Sequence, residues 1–309
     1  MSARSRILLN GKSAASIELR DTVYTLREQG FTIDVRITWE QQDIPRFVQE
    51  ACDDGIERLI AAGGDGTIHE TVNALMACKT DDTVLPSLAV IPMGTANDFA
   101  NSCALPLTIS GALNFAVSAK SCPVDIIQVN QHYYLNLASS GFGAAVTAST
   151  PPELKRILGG AAYSLMGVIM ALNLKPHDGH LSLPDNKKYT GSILVAAIGN
   201  GRQAGGGRIL TPRAYIDDGL LDILLIRHFP VSDFGLVLQE LSELPQDGRY
   251  VSYIQTPWFD FSHQQAINVN LDGEPYKFKD GRAKIIPHAL KLILPSDCPL
   301  LTQSDSAQV

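Results

Sequence analysis

Two glycine-bearing stretches contain the residue types that phosphate chemistry needs: GGDGTIHE (63–70) and PMGTANDF (92–99). Each follows an apolar run and precedes a helix-like pattern. Glycine lets backbone N–H groups approach a phosphate closely, and a helix N-terminus adds the positive end of its dipole. Asp65 would repel a bare phosphate but suits a Mg²⁺ ion held between carboxylate and phosphate oxygens. The alternative interpretation is helix capping without a ligand, with Thr67 as the cap and Glu70 completing a capping box.

Three later stretches contain unusual turns: IGNGRQAGGG (198–207), AYIDDGL (214–220) and NVNLDGEP (268–275). The first has too much glycine for a core strand, which indicates backbone passing close to another group. The second and third predict an Asp-Gly turn and an Asp-Gly hairpin, and a solvated turn is the alternative for both. NGKS (10–13) is not the end of a P-loop, because Arg6 stands where the P-loop needs its first glycine. GGDGT is also not the dinucleotide fingerprint G-x-G-x-x-G.

The first part of the chain alternates strand-like and helix-like runs, which predicts a parallel sheet with helices on both faces. Both phosphate-type loops would then lie at the carboxyl edge of that sheet, where ligands bind in such folds. The predicted strands are 6–10, 31–38, 59–62 and 88–92, and the predicted helices are 16–29, 44–54, 68–78 and one starting near Asn97.

After residue 123 the strand-like runs come closer together, which predicts a mainly antiparallel β domain, a sandwich or open barrel. We therefore expect an α/β domain over 1–123 and a β domain over 124–309, and leave open whether the last strand, near 290–300, returns to the first. The predicted strands are 124–129, 133–138, 179–183, 192–198, 220–226, 251–254, 266–271, 283–287 and 290–294, with a helix over 231–244.

Composition excludes several classes of function. The 309 residues have a net charge of −7 and a pI of about 5.5, which argues against a nucleic-acid partner and against attachment to anionic membrane by charge alone. The five cysteines are scattered and form no Cys-x-x-Cys pair, so we expect free thiols in a reducing, cytoplasmic setting.

One apolar segment, 157–174, has 18 residues without a charge, which is the lower limit for a membrane span. Its glycines, Asn173 and its position in the middle of the chain favour a buried or surface-facing helix instead. A third possibility is a helix that lines an apolar lipid pocket.

In their order along the chain, GGDGT, GTAND, GNGRQAGGG, DDGLL and LDGE resemble the diacylglycerol-kinase catalytic superfamily, and within it the YegS-type bacterial lipid kinases. The resemblance extends from Asn10 to about Leu300. GGDGT is shared with NAD kinases and phosphofructokinases, but its combination with GTANDFA and a late LDGE is specific. One departure is NGKS (10–13), where many members have Asn-Pro and a later glycine.

This resemblance implies an ATP-binding α/β domain, a lipid-binding β-sandwich and transfer of the γ-phosphate of ATP to a glycerolipid hydroxyl, on phosphatidylglycerol or diacylglycerol. It implies peripheral contact with the inner membrane face and gives no oligomeric state. Glu274 would be the general base, and Asp218 with the carbonyl groups of Tyr215 and Leu220 would bind a structural Mg²⁺ or Ca²⁺. The implied nucleotide contacts are Thr38, Gly64, Asp65, Gly66, Thr67, Ile68, His69, Glu70 and Thr95, and the acids implied to organise Mg²⁺ and its waters are Asp65, Asp98 and Asp125.

Two questions stay open at this point. Asp65 is the rival base, but an acid that organises a metal is already electrostatically engaged, which favours Glu274. The rival functions are an NAD kinase-like enzyme, which LDGE and GTANDFA disfavour, and a non-catalytic nucleotide- or metal-binding protein, which the presence of both acids disfavours.

Overall fold

The computed structural model describes residues 3–80, 82–141, 174–184 and 186–302. The chain divides into two compact units, one of Met1–Ile126 with Pro287–Val309 and one of Ile127–Ile286. The apolar segment predicted at 157–174 lies, except for Leu174, outside the described residues. Within the described ranges, no helix combines the length and hydropathy that crossing a membrane would need. All five cysteines are free thiols.

The first unit is a parallel sheet covered by helices. Its strands are β1 Ser5–Asn10, β2 Ile33–Thr38, β3 Arg58–Gly63 and β4 Ser87–Pro92, and its helices are α1 Ile17–Glu28, α2 Asp43–Asp53, α3 Asp65–Cys78, α4 Asp98–Ser102 and α5 Ile109–Ser118. The strand order is β2–β1–β3–β4, all parallel. The α/β fold class predicted from the alternation of elements is confirmed.

The sheet core of the first unit follows from side-chain periodicity. Leu19, Val23 and Leu26 lie on one face of α1 and pack in the same cluster as Ile7 and Leu9 of β1. The Ser16 side chain caps α1 by accepting a hydrogen bond from the N–H of Leu19 at 3.3 Å, and Gly30 follows the helix at a φ of 92°.

Residues near the end of the chain complete the first unit. Ile293 is buried in the same core cluster as β1, and Leu292 pairs in parallel with Leu88 of β4. Lys79 donates its Nζ to the carbonyl of Ala289 at 2.6 Å. The segment that the sequence left unassigned therefore belongs to the first unit.

Helix α5 was missed by the sequence reasoning, which placed one helix from Asn97 onwards. α4 ends after five residues, and a separate α5 begins after Thr108, whose hydroxyl accepts the N–H of Gly111 at 3.2 Å. The buried face of α5 is formed by Ala112, Leu113, Ala116 and Val117. This helical spacing is visible in the sequence, but Gly111 interrupts it at its start.

Asp43, at the start of α2, fixes the loop that follows β2. Its carboxylate accepts the N–H groups of Trp39 at 2.6 Å and Glu40 at 2.9 Å, and pairs with Arg46 at 2.6 Å. These hydrogen bonds, the one from Glu40 being the strongest influence, lower the pKa of Asp43 to about 2. The loop beside Thr38 is thus held by a charged group.

Replacing Asp43 by Asn is expected to destabilise the protein most at neutral pH. The pKa of Asp43 in the folded state lies below its ordinary value of 3.8, so the carboxylate stabilises the fold above that value and loses this effect as pH falls towards 2. The difference in Tm between wild type and Asp43→Asn should narrow below about pH 4. Asp21→Asn, on the surface of α1, is the control, and a Tm difference constant down to the lowest pH at which both proteins fold would contradict the prediction.

The second unit is antiparallel throughout its described strands, as predicted. They are β6 His132–Tyr134, β7 Leu137–Ser140, β8 His177–Ser182, β9 Lys188–Gly199, β10 Gln203–Ala204, β11 Arg208–Ile209, β12 Leu221–Arg227, β13 Val251–Thr256 and β14 Trp258–Leu271, and the helix α6 is Phe234–Glu243 after a 3-10 turn Val231–Asp233. Two further strands, β5 Ser121–Val129 and β15 Glu274–Ile293, contribute residues to both units.

The strands of the second unit close on themselves. β7 and β8 each pair with both β9 and β14, so these four strands surround a core that includes Leu181, Ile193 and Leu271. A second core lies with α6, around Val237 and Leu241. The regions predicted as two strands, 283–287 and 290–294, both belong to the single strand β15. His288 between them has a positive φ of 51°, which interrupts the alternation of side chains without ending the strand.

Candidate functional site

The N-terminus of α3 is formed by the GGDGT stretch of the first unit. Gly64 is the N-cap residue and the helix begins at Asp65, so the prediction that Thr67 caps the helix with Glu70 in a capping box is wrong. Thr67 lies inside the first turn, and its hydroxyl accepts a hydrogen bond from Asn10 Nδ2 at 3.4 Å. First-turn N–H groups have no acceptor within their own helix, so those of Gly66 and Thr67 can serve an anion.

Asp65 joins the two glycine-bearing loops. Its carboxylate oxygens accept the N–H groups of Asp98 at 3.3 Å and Phe99 at 3.4 Å, at the start of α4. The N–H of Met93 donates to the carbonyl of Gly63 at 2.8 Å. The two loops, both predicted at the carboxyl edge of the sheet, therefore meet within the first unit.

Gly64 and Gly94 touch where the loops meet. A Cβ on Gly94 would lie 2.5 Å from the Cα of Gly64 and 2.8 Å from Oδ1 of Asn97, distances that no side chain tolerates. Asn97 has a left-handed backbone (φ 50°) and holds the turn by accepting the N–H of Gly94 at 2.9 Å and donating to its carbonyl at 3.0 Å. Glycine is thus a steric requirement at position 94, whereas a Cβ on Gly64 would make a tight contact, 3.1 Å from the Cα of Gly94.

The other residues predicted to contact the nucleotide differ in their exposure to solvent. Thr38 ends β2 beside Asn10 of β1, whereas Thr95 and Glu70 are exposed. The side chains of Ile68 and His69 are buried, and the N–H of Ile68 donates within the helix to the carbonyl of Gly64 at 3.2 Å. For a nucleotide phosphate, the N–H groups in the first turn of α3 are therefore better hydrogen-bond donors than Ile68 and His69.

The acids predicted to organise Mg²⁺ are largely withdrawn from solvent. Asp98 is buried at the start of α4, and Asp125 is completely buried, with Oδ1 accepting the N–H of His288 at 2.7 Å. In the described part of the chain, no three His, Cys, Asp or Glu side chains form a group that could hold a metal ion.

In the second unit, Glu274 is the first residue of β15. It pairs with Leu271 across the two-residue turn Asp272–Gly273, whose φ values of 51° and 96° match a type I′ hairpin. The Asp-Gly hairpin predicted from the sequence is confirmed. The Glu274 side chain is half-buried.

Sequence reasoning missed the contacts of Asp272. The alternative of a solvated turn does not hold for this residue, because its side chain is bonded to the protein. Its carboxylate accepts three backbone N–H groups from residues 135–137. No local pattern signals this, because the partners are separated by more than 130 residues.

The glycine-rich stretch 198–207 passes close to other groups, as predicted, and those groups belong to the protein itself. A Cβ on Gly199 would lie 2.1 Å from Oγ1 of Thr211, and one on Gly201 would lie 2.2 Å from Oδ1 of Asn136. The glycines therefore permit tight backbone packing in this loop.

The acidic loop at 214–220 has oxygen donors that suit a hard cation. Asp218 Oδ1 accepts the N–H of Leu220 at 2.9 Å. Nearby Asp222 is fully buried: Oδ1 accepts the hydroxyl of Tyr253 at 2.6 Å, while Oδ2 has no hydrogen-bond partner among the described residues. Burial, together with the charge of Asp218, raises the pKa of Asp222 to about 6. Carboxylate and carbonyl oxygens beside a buried acid are ligand types that Mg²⁺ and Ca²⁺ take.

A cavity of about 60 Å³ lies within the second unit and is lined almost entirely by apolar side chains. Phe259, Phe261 and Phe278 contribute aromatic rings, and Ala283 and Leu225 contribute small and branched side chains. An apolar cavity larger than a single water molecule suits hydrocarbon better than solvent.

Both parts of the chain match known protein families. Residues 4–129 match the diacylglycerol kinase catalytic domain, and residues 136–294 match the YegS C-terminal NAD kinase beta sandwich-like domain. A "probable lipid kinase YegS-like" from Shewanella frigidimarina is 46% identical over 97% of this chain and 96% of its own length. The "probable lipid kinase YegS" of Escherichia coli is 42% identical, over 96% and 98%.

Solved structures show the same fold. A diacylglycerol kinase from Bacillus anthracis str. Sterne superposes with a TM-score of 0.73 at 19% identity, over 96% of this chain and 98% of that one. At this identity the likeness concerns the fold.

Proposed function

Because the chain belongs to the YegS-like family of lipid kinases, which have a diacylglycerol kinase catalytic domain, we propose that it transfers the γ-phosphate of ATP to a hydroxyl group of a glycerolipid. Phosphatidylglycerol and diacylglycerol are the first acceptors to test. The observation that supports the proposal most is the meeting of GGDGT and GTAND through Asp65, which brings glycine backbone from both loops together at a helix N-terminus.

The nucleotide phosphates would be bound by the first-turn N–H groups of α3, with Thr38 and Thr95 beside them. Asp65, Asp98 and Asp125 would hold Mg²⁺ largely through water, since Mg²⁺ keeps several waters and takes phosphate oxygens as ligands. Bound Mg²⁺ would neutralise charge on the transferred phosphoryl group. In such a reaction the protein's task is mainly to position groups and compensate charge.

Glu274 would accept the proton of the lipid hydroxyl as that oxygen bonds to the γ-phosphorus and the bond to ADP breaks. The rival base, Asp65, is engaged by the N–H groups of Asp98 and Phe99, which supports Glu274 for this role.

The loop at 214–220 would bind a structural Mg²⁺ or Ca²⁺ through Asp218 and the carbonyl groups of Tyr215 and Leu220. The fully buried carboxylate of Asp222 adds negative charge that such a cation would offset. The cation would stabilise this loop and would take no part in the transfer.

The test of this function is transfer of labelled phosphate from ATP, with Mg²⁺, to a panel of lipids in mixed micelles, with NAD as a soluble control. Label in a glycerolipid is the expected result. Label in NAD alone would replace the proposal by an NAD kinase activity, and label in no acceptor would leave a non-catalytic nucleotide-binding protein as the better interpretation.

An acyl chain of the acceptor would enter the apolar cavity of the second unit, after peripheral contact of the protein with a membrane. Ala283→Leu fills part of this cavity, far along β15 from Glu274. We expect about a 10-fold loss of kcat/KM on a long-chain acceptor, as for methylene-scale changes in apolar pockets, with a short-chain soluble analogue little affected. Equal loss on both acceptors would contradict the assignment of the cavity.

A further inference from the structure

The turn that carries Glu274 is fastened to another part of the second unit by one carboxylate. Asp272 Oδ2 accepts the N–H of Leu135 at 2.8 Å, and Oδ1 accepts those of Asn136 and Leu137, both at 2.9 Å. The N–H of Asp272 donates in return to the carbonyl of Leu137 at 3.0 Å. Three consecutive N–H groups that converge on one carboxylate form an anion cradle, here filled by the protein's own side chain.

The cradle at 135–137 is itself held in place. The carbonyl of Asn136 accepts the N–H groups of Asn200 at 2.9 Å and Gly201 at 2.7 Å. Asn200, fully buried, donates its Nδ2 to the carbonyl of Leu135 at 2.9 Å. Asp272 is therefore bonded to a rigid support.

Glu274 stands two residues from this anchor. The two-residue turn leaves no slack between Asp272 and the start of β15, and Leu271 pairs with both Glu274 and Ala138. Two sets of hydrogen bonds thus fix the end of the hairpin: those of its strand pairing and those of the Asp272 carboxylate. Catalytic groups must be held within about half an ångström of their productive position.

From this geometry we infer that Asp272 is a positioning residue for Glu274, an inference that rests on the proposed role of Glu274 as the base. Asp272 would not touch the reacting atoms. Its negative charge, neutralised by three N–H dipoles, fixes the backbone from which the Glu274 side chain extends.

The test variant is Asp272→Asn, which keeps the size of the side chain and its tolerance of positive φ. Its amide group replaces one acceptor oxygen by a donor, so at least one N–H of the cradle loses its partner. We expect kcat to fall roughly 10- to 100-fold, with the KM for ATP within about 2-fold of wild type.

Asn130→Ser is the matched control. Asn130 also has a positive φ (52°) and also fastens a turn to β15, through Asp280 and Arg282 instead of the Glu274 end. Tm is measured for both variants, so that any loss of kcat can be compared at equal loss of stability. We expect Asn130→Ser to keep kcat within about 2-fold of wild type.

A double-mutant cycle with Glu274→Gln separates positioning from a general structural role. If Asp272 acts through Glu274, adding Asp272→Asn to Glu274→Gln should cause no further loss of kcat. Additive losses, or equal losses of kcat in Asp272→Asn and Asn130→Ser at equal Tm, would overturn the inference.

The outcomes also separate this inference from the proposed function. If no lipid accepts phosphate, the function itself fails, and if Glu274→Gln has wild-type kcat, the inference fails with its premise. If Asp272→Asn does not fold, Asn200→Ser, which loosens the cradle at Leu135, takes its place in the same cycle with the same expectation.

Discussion

Replacing Glu274 by Gln is expected to lower kcat by roughly 10²- to 10⁴-fold, the range typical for removal of a general base. Gln has nearly the same shape, and the hairpin between Leu271 and Glu274 depends on backbone pairing, so the fold should persist. Affinity for ATP should change little, because the proposed phosphate contacts belong to the first unit. The effect would therefore appear in kcat and not in the KM for ATP.

The control for this variant is Asp65→Asn, which alters the rival base. Asp65 accepts the N–H groups of Asp98 and Phe99, so its replacement should weaken the junction of the two loops and reduce ATP affinity as well as kcat. Steady-state kinetics in lipid micelles, with Tm for each variant, distinguishes the two patterns. Wild-type turnover by Glu274→Gln would remove Glu274 from the mechanism.

Gly94→Ala is expected to cost more than an order of magnitude in MgATP affinity. The new methyl group would lie 2.5 Å from the Cα of Gly64, and neither backbone segment can yield without separating the loops. Overpacking of this kind typically costs about 1–3 kcal/mol, so a lower Tm should accompany the weaker binding.

Trp39 offers a direct measurement of that binding. Its side chain is 90% exposed and it follows Thr38, so phosphate binding there should change its fluorescence. Trp258→Phe removes the signal of the other tryptophan. Gly235→Ala, in α6 with nothing within 4 Å of the new methyl group, is the control and should bind MgATP as wild type does. Unaltered affinity in Gly94→Ala would show that the loop contact is not needed for nucleotide binding.

Local patterns in the sequence predicted what depends on neighbouring residues. The predicted family, fold class and enzyme class are confirmed, and so is the hairpin at Asp272–Gly273. The start of α3 was misplaced because its cap, Gly64, has no side chain to signal it, whereas Thr67 resembles a cap. The assigned roles of the site residues remain predictions.

Contacts between distant parts of the chain could not be read from periodicity. Asp65 reaches the N–H groups of Asp98 and Phe99 from 33 and 34 residues away, and Asp272 reaches 135–137. Such pairs become adjacent only after strands have assembled in order, and no single sequence displays that order. Sequence reasoning therefore found the charged group Asp65 but missed the distant backbone groups to which Asp65 and Asp272 are bonded.

The return of the chain to its first unit has a consequence for biosynthesis. Domains usually fold one after another as they leave the ribosome, the N-terminal one first. Here Ile293 fills part of the core beside β1, Leu292 extends the sheet at β4, and His288 meets the buried Asp125. The nucleotide-type unit therefore stays incomplete, with apolar surface uncovered, until residues 287–293 have been synthesised, and the second unit has its whole sequence available first.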